Sequence, residues 1–138
     1  MKDYLVKDNW RIIEDQYHAE YNQISESIFS IGNGQMGQRA NFEESYTGNT
    51  LQGNYIGGVY YPDKTRVGWW KNGYPEYFAK VPNACDWIGI RILLDQEEVN
   101  LATSDIKNFY RELDMKRGLL TRKVEFLTPK GRHISIES

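Results

Sequence analysis

Hydrophobic and polar positions alternate with a period of two along much of the chain, and glycines separate the alternating segments. The clearest case is Trp87–Leu94, where the even-numbered positions are all large and apolar: Ile88, Ile90, Ile92 and Leu94. Such a pattern predicts a strand with one buried face, followed by a turn at 95–98 and a return at Val99–Leu101. Shorter β-rich runs are predicted at Trp10–Glu14, Glu26–Ile31 and Leu51–Tyr61.

The C-terminal third of the chain predicts two consecutive hairpins. Residues 106–115 fit a helical repeat as well as a strand, but Leu119–Phe126 is plainly β, and the short turn Lys116–Gly118 joins the two segments. A second turn at Thr128–Gly131 leads into the strand His133–Ile136. Because no long amphipathic helix remains, the predicted fold class is all-β, an antiparallel β-sandwich with little helix.

Length and charge exclude several classes of protein. The 138 residues suffice for one domain, and no apolar run approaches the ~18 residues of a spanning helix, so no membrane segment is expected. The net charge of −2, without a basic block, argues against nucleic acid as a partner. A lone cysteine, Cys85, and the absence of a signal peptide predict a cytoplasmic location. The two distant histidines give no zinc site, and no metal is expected.

The segment Gly32–Gly37 matches the G-x-G-x-x-G dinucleotide fingerprint. That fingerprint binds a pyrophosphate only where a helix begins at the glycines. Here the following residues alternate with a period of two and reach another turn at Gly48-Asn49. We therefore expect a plain strand connection and no nucleotide cofactor.

Three pairs of adjacent acids occur, Glu14-Asp15, Glu43-Glu44 and Glu97-Glu98. Glycosidic chemistry needs two carboxyl groups about 5–10 Å apart across a bond. Neighbours on a strand point to opposite faces, so these pairs are interpreted as solvated turn charges. No catalytic residue is assigned, because no nucleophile motif such as G-x-S-x-G is present either.

The segment 63–80 combines turn residues with large aromatics and basic side chains without a clean period, which predicts a long excursion too irregular to join a strand ladder. It fits either a surface that contacts sugar or protein, or a lid folded onto the core of the sandwich. We favour the contact surface. The candidate residues facing another domain or a sugar are Arg66, Trp69, Trp70, Lys71 and Tyr74.

Three separated motifs resemble glycoside hydrolase family 65, the disaccharide phosphorylases. Glu26–Glu44 is similar to the signature E-S-x-x-x-x-G-N-G-x-x-G-x-R-G-N-F-E-E of the family's N-terminal domain. Asn54–Pro75 resembles the branch that cleaves maltose, and Leu113–Arg122 resembles the hairpin L-D-M-x-x-G-x-L-T-R. The chain departs from the signature at Gln35, Gln38 and Ala40.

The resemblance implies a truncated N-terminal β-sandwich domain over residues 1–138. Members of the family continue into a helical linker, an (α/α)6 catalytic barrel and a small C-terminal domain. Their glutamate acid and phosphate-binding residues lie in the barrel, so no residue here inherits a catalytic role.

The reaction implied is inverting phosphorolysis, with inorganic phosphate as co-substrate and no cofactor. The implied role of this chain is a scaffold that contacts the catalytic domain of the same polypeptide, in a homodimeric enzyme acting on a disaccharide. Two alternatives remain: a free-standing carbohydrate-binding module that stacks sugars on Trp69 and Trp70, and a generic β-sandwich interaction domain.

Overall fold

The computed structural model describes residues 3–64 and 75–138, which form twelve strands and one α-helix. The helix is α1 (Asn22–Ile28), and single 3₁₀ turns lie at Ala19–Tyr21 and Leu101–Thr103. The strands are β1 (Val6–Lys7), β2 (Arg11–Glu14), β3 (Ile31–Gly32), β4 (Met36–Gln38), β5 (Asn54–Ile56), β6 (Tyr61–Lys64), β7 (Tyr77–Lys80), β8 (Leu93–Leu94), β9 (Glu97–Glu98), β10 (Asp105–Asp114), β11 (Leu119–Leu127) and β12 (His133–Glu137). In the part described, no helix has the length and apolar character needed to cross a membrane.

The largest sheet has the order β1-β2-β10-β11-β12, with every neighbouring pair antiparallel. Both predicted C-terminal hairpins are confirmed, and the ambiguous segment 106–115 is a strand. The carboxylate of Asp114 accepts hydrogen bonds from the amides of Lys116 and Arg117, and Gly118 takes a positive φ of 64°. This local chemistry closes the turn between β10 and β11 and sets their register.

Three smaller antiparallel sheets surround the main one: β3-β4-β5, β6-β7 and β8-β9. The predicted fold class is therefore confirmed, since the described residues are mostly strands in antiparallel sheets with one short helix, as in a β-sandwich-type domain. Residues 40–46, which lack regular structure, and residues 90–101, which include the short hairpin of β8 and β9, cover the inner face of the main sheet. The buried core between these layers consists of Phe42, Val99, Leu101, Phe109, Val124 and Phe126.

The prediction of a strand at Glu26–Ile31 was wrong, because the first half of this run belongs to α1 and only Ile31 lies in a strand. The buried positions are Asn22, Ser25, Glu26 and Phe29, which follow the helical spacing i, i+3, i+4 and i+7. Three of these four residues are polar. A search for hydrophobic periodicity cannot find a helix whose buried face is polar.

The prediction of a long half-buried strand over Trp87–Leu94 was also wrong, since only Leu93–Leu94 forms a strand. The Asp86 carboxylate accepts hydrogen bonds from the amides of Ile88 and Gly89 and bends the chain there. Further on, Asp95 and Gln96 adopt positive φ angles. The return pairing accordingly uses Glu97–Glu98 instead of the predicted Val99–Leu101.

Candidate functional site

The glycine-rich segment is a hairpin between β3 and β4. The side-chain oxygen of Asn33 accepts hydrogen bonds from the amides of Gln35 and Met36, and Gly34 has a φ of 86°. No helix begins at Gly34. The predicted strand connection is therefore confirmed, and the glycines serve a tight turn. That the segment binds no nucleotide stays a prediction.

The adjacent acid pairs are not solvated turn charges, and that interpretation was wrong for one member of each pair. Glu14, Glu44 and Glu97 are only 1%, 4% and 8% exposed. The buried member of each pair lies against an arginine. The expectation that adjacent acids point to opposite faces fails for Glu43 and Glu44, because both carboxylates bind the Arg122 guanidinium. The cost of burying a carboxylate is offset by these cationic partners.

Arg111 lies on the inward face of β10 and is 1% exposed. Its Nε donates to Oε2 of Glu14 on the neighbouring strand at 3.1 Å, and its Nη1 donates to the carbonyl of Ala40 at 3.0 Å. This one side chain therefore links β10 to β2 within the main sheet and attaches the segment 40–46 to that sheet.

Arg122 lies directly opposite Arg111 in the register of β10 and β11. Two like charges in this position would repel each other without counter-charges. The Arg122 guanidinium donates to both oxygens of Glu44, at 2.7 and 2.6 Å, and to Glu43 at 2.7 Å. The ring of Phe42 lies 5.5 Å from the Arg111 guanidinium carbon and 5.0 Å from that of Arg122. The two arginines, their carboxylates and Phe42 are called the arginine cluster below.

The environment shifts the pKa values of the two arginines in opposite directions. Burial lowers the pKa of Arg111, and Glu14 only partly offsets this effect. Burial acts on Arg122 as well, but the ion pairs with Glu44 and Glu43 outweigh it and raise the pKa. Both side chains remain cationic at neutral pH, because the ordinary pKa of arginine lies above 12.

Burial also raises the pKa of the Tyr17 hydroxyl, which shares a 2.7 Å hydrogen bond with Tyr46 beside this cluster. Tyr17 therefore stays protonated at neutral pH, and both tyrosine rings pack against the apolar core.

Glu26, 0% exposed, is a second buried carboxylate centre. It accepts hydrogen bonds from the Asn22 amide group at 2.9 Å, the Thr50 hydroxyl at 2.5 Å and the Leu51 backbone amide at 2.7 Å. Nearby, the Arg39 guanidinium donates to the carbonyl of Gln23 and the hydroxyl of Ser27 on α1. The charged residues of the sequence signature thus fix the segment 39–51 against α1 and the main sheet.

A cleft of about 410 Å³ opens between residues 41–52 and 86–91. Its carboxylates already have partners: Glu43 and Glu44 bind Arg122, and Asp86 accepts two backbone amides. At its margin, hydrogen bonds from Ser45 and Arg91 lower the pKa of Glu98. Glu98 is therefore a poor proton donor at neutral pH.

The sequence-predicted contact residues, Arg66, Trp69, Trp70, Lys71 and Tyr74, lie outside the described residues. The strands β6 and β7 that flank them are described and pair with each other. Tyr77–Lys80 therefore belongs to a regular ladder, contrary to the prediction of an irregular segment. Tyr61, Tyr77 and Phe78 on these strands are 63%, 52% and 43% exposed.

Sequence reasoning missed the arginine cluster. A signal was present, because Arg111 and Arg122 occupy inward positions beside Phe109, Val124 and Phe126 in two alternating strands. A charged residue at an expected core position predicts a buried counter-charge. Within residues 3–64 and 75–138, no three histidine, cysteine or acidic side chains are grouped so as to hold a metal ion.

Comparisons with known proteins place this architecture in a family. Residues 12–138 match the N-terminal domain of glycosyl hydrolase family 65. The chain is 51% identical over 115 residues to maltose phosphorylase of Bacillus subtilis (strain 168), which covers 83% of this chain and 15% of that protein. It is 37% identical over 123 residues to kojibiose phosphorylase of Halothermothrix orenii, covering 89% of this chain and 14% of that protein.

A solved structure described as a putative kojibiose phosphorylase from the human microbiome superposes with a TM-score of 0.81 at 34% identity. The superposition covers 97% of this chain and 18% of that one. The chain spans about one seventh of the length of the two relatives named above. From its signature, its fold and these matches, the chain belongs to glycosyl hydrolase family 65, as an N-terminal domain of the kind found in maltose, kojibiose and trehalose phosphorylases.

Proposed function

We propose that this chain is the non-catalytic N-terminal scaffold of a cytoplasmic disaccharide phosphorylase that acts on maltose. The observation that carries the proposal is that the charged residues of the sequence signature make structural contacts within this domain. Glu26, Arg39, Glu43 and Glu44 are engaged in hydrogen bonds and ion pairs that hold this domain together. Maltose is favoured as substrate because the identity to a maltose phosphorylase, 51%, exceeds that to a kojibiose phosphorylase, 37%.

In the proposed reaction, inorganic phosphate attacks the anomeric carbon of the non-reducing glucose with inversion. An acid in the rest of the polypeptide protonates the glycosidic oxygen as the bond breaks. Glucose and β-glucose 1-phosphate result. Phosphate is itself the nucleophile, so the reaction needs no carboxylate base and no cofactor.

The scaffold role requires a surface that faces the rest of the enzyme or a second subunit. The paired strands β6 and β7 supply one, since Tyr61, Tyr77 and Phe78 are exposed there. Exposed aromatics of this density are typical of interface centres. We propose that this surface faces the catalytic domain or a partner subunit in a homodimer. From the sequence alone, Arg66, Trp69, Trp70, Lys71 and Tyr74 are proposed as further contacts.

The chain by itself is expected to show no phosphorolysis. Incubation with maltose or trehalose and inorganic phosphate should release no β-glucose 1-phosphate above a protein-free blank. A chimera in which this chain replaces the matching segment of the Bacillus subtilis maltose phosphorylase should retain activity on maltose. Product formation by the chain alone would contradict the scaffold role, and so would an inactive, well-folded chimera.

The second candidate function is a free-standing carbohydrate-binding module, which the exposed aromatics on β6 and β7 favour. Titration of the chain with maltose, monitored by tryptophan fluorescence, distinguishes the module from the scaffold. A scaffold should give no saturable change up to millimolar sugar, with sucrose as a viscosity-matched control. Saturation that is lost in the variant Trp69→Ala and Trp70→Ala would establish the module instead.

A further inference from the structure

The two edges of the main sheet differ in how well they are protected against pairing with a further strand. One edge is β1, which has only two residues and carries Lys7. The other edge is β12, whose five residues pair with β11 in an unbroken register and include no proline, glycine or lysine. Short strands, lysines, prolines and bulges are the usual devices that prevent edge-to-edge pairing. In the parts of the chain that the structure describes, no strand pairs with the outer side of β12.

The backbone groups that β12 directs outward follow from its register with β11. Arg122 and Ser138 exchange both of their backbone hydrogen bonds, at 2.8 and 2.9 Å. Because hydrogen-bonded and non-hydrogen-bonded pairs alternate in an antiparallel ladder, Ile134 and Ile136 direct their amides and carbonyls toward β11. The three alternate residues direct theirs away from the sheet: His133, Ser135 and Glu137.

The sequence of β12 is complementary to itself. When two copies pair antiparallel about a two-fold axis at Ser135, each His133 lies opposite Glu137 of the other copy. Each Ile134 lies opposite Ile136 of the other copy on the inner face, where both side chains pack against the core of their own domain. No like charges meet in this register. It also pairs all three outward residues of both strands, whereas a shift of two residues in either direction leaves one of the three unpaired.

The Glu137 carboxylate has capacity for a second partner. It pairs with Lys123 on the neighbouring strand at 2.8 Å, and the two side chains are 65% and 56% exposed. An ionised carboxylate accepts several hydrogen bonds, so the ring N–H of His133 from a second copy can bind it beside the lysine. The outer face of the edge therefore matches a second β12 in charge as well as in register.

We propose that β12 is a homodimerisation edge, through which two copies of this 138-residue chain join their five-stranded sheets into one continuous antiparallel sheet. The inference goes beyond the proposed function and does not depend on it. Two five-residue strands bury less than the about 800 Å² per partner of a stable complex. The expected association is therefore weak, with a dissociation constant on the order of 100 µM.

Sedimentation velocity tests the association. The chain should be monomeric at about 5 µM and mostly dimeric at about 500 µM. Ser135→Pro removes an outward amide and leaves the bonds to β11 in place. Its melting temperature should therefore stay within about 3 °C of the unmodified chain, while association weakens at least about tenfold. Ser135→Ala is the matched control, because it keeps the amide and should associate like the unmodified chain.

Disulfide formation tests the register. Opposed residues of a hydrogen-bonded pair lie about 5.5 Å apart between their Cα atoms, a distance that a disulfide can bridge. The chain with Cys85→Ser and Ser135→Cys should therefore form a linked dimer in oxidised glutathione. The unmodified chain, whose exposed cysteine is Cys85, should stay mostly unlinked under the same conditions.

A chain that stays monomeric at about 500 µM would overturn the proposal. Dimerisation that Ser135→Pro leaves unchanged would overturn it as well, because another surface, such as the exposed aromatics of β6 and β7, would then be responsible. Crosslinking through Ser135→Cys that is no faster than that of the unmodified chain would exclude the central pair and have the same consequence. If Ser135→Pro does not fold, the crosslink alone decides.

Discussion

Replacing Arg122 by methionine is expected to lower the free energy of unfolding by about 3–5 kcal/mol, because it leaves the buried Glu44 carboxylate without its cation. In the native domain Arg122 is 4% exposed and binds both oxygens of Glu44. Urea denaturation followed by circular dichroism measures the change. The loss is comparable to the whole stability of many small domains, so part of the variant should be unfolded without denaturant.

Two controls identify the cause of that loss. Arg91→Met removes an ion pair whose members are 69% and 40% exposed and should cost no more than about 1 kcal/mol. The double variant Arg122→Met and Glu44→Leu replaces the buried pair by apolar groups and should recover much of the lost stability. A double variant as unstable as Arg122→Met alone would contradict the ion-pair explanation.

Replacing Glu26 by alanine is expected to cost about 3 kcal/mol, because three hydrogen-bond donors then lose a charged acceptor in a buried site. The donors are the Asn22 amide group, the Thr50 hydroxyl and the Leu51 backbone amide. Amide hydrogen exchange should accelerate at Leu51 well before the rest of the sheet opens, since the segment 49–51 loses its attachment to α1.

Glu20→Ala provides the comparison for Glu26, because the Glu20 side chain is 64% exposed and lies 3.7 Å from His18. It should change stability by less than about 0.5 kcal/mol. If Glu26→Ala left the exchange rate of Leu51 unchanged, the proposed attachment of residues 49–51 would be wrong.

The predictable parts of this fold are those in which local chemistry and apolar alternation agree. Strands β10, β11 and β12 combine alternating burial with turns that Asp114 and Gly118 build from their own neighbours. The helix α1 was unpredictable because its buried face is made largely of Asn22, Ser25 and Glu26. Apart from the Asn22–Glu26 hydrogen bond within the helix, their partners come from distant segments.

The candidate site was likewise predictable only where local sequence decides the structure. Adjacent acids were expected to face opposite ways, yet Glu43 and Glu44 converge on Arg122. The burial of Glu14 and Glu44 depends on Arg111 and Arg122, almost a hundred residues away in one case. Trp87–Leu94 fails for a different reason, since its alternation is real while the Asp86 carboxylate turns the backbone. Sequence periodicity records which residues prefer burial, and it does not say which surface covers them.

The arginine cluster also has a consequence for the order of events during folding. Arg111 and Glu14 are 97 residues apart, and Arg122 and Glu44 are 78 residues apart, whereas β10 and β11 are joined by a turn of a few residues. Loop closure over such separations is entropically costly, so we expect the local hairpin to form first, with two unpaired cations on one face. Those cations attract the acids of β2 and of residues 43–44 as these arrive, and a hairpin shifted by one residue would present them to the wrong side. We therefore expect the ion pairs of the cluster to favour the native register of β10 and β11 over a shifted one.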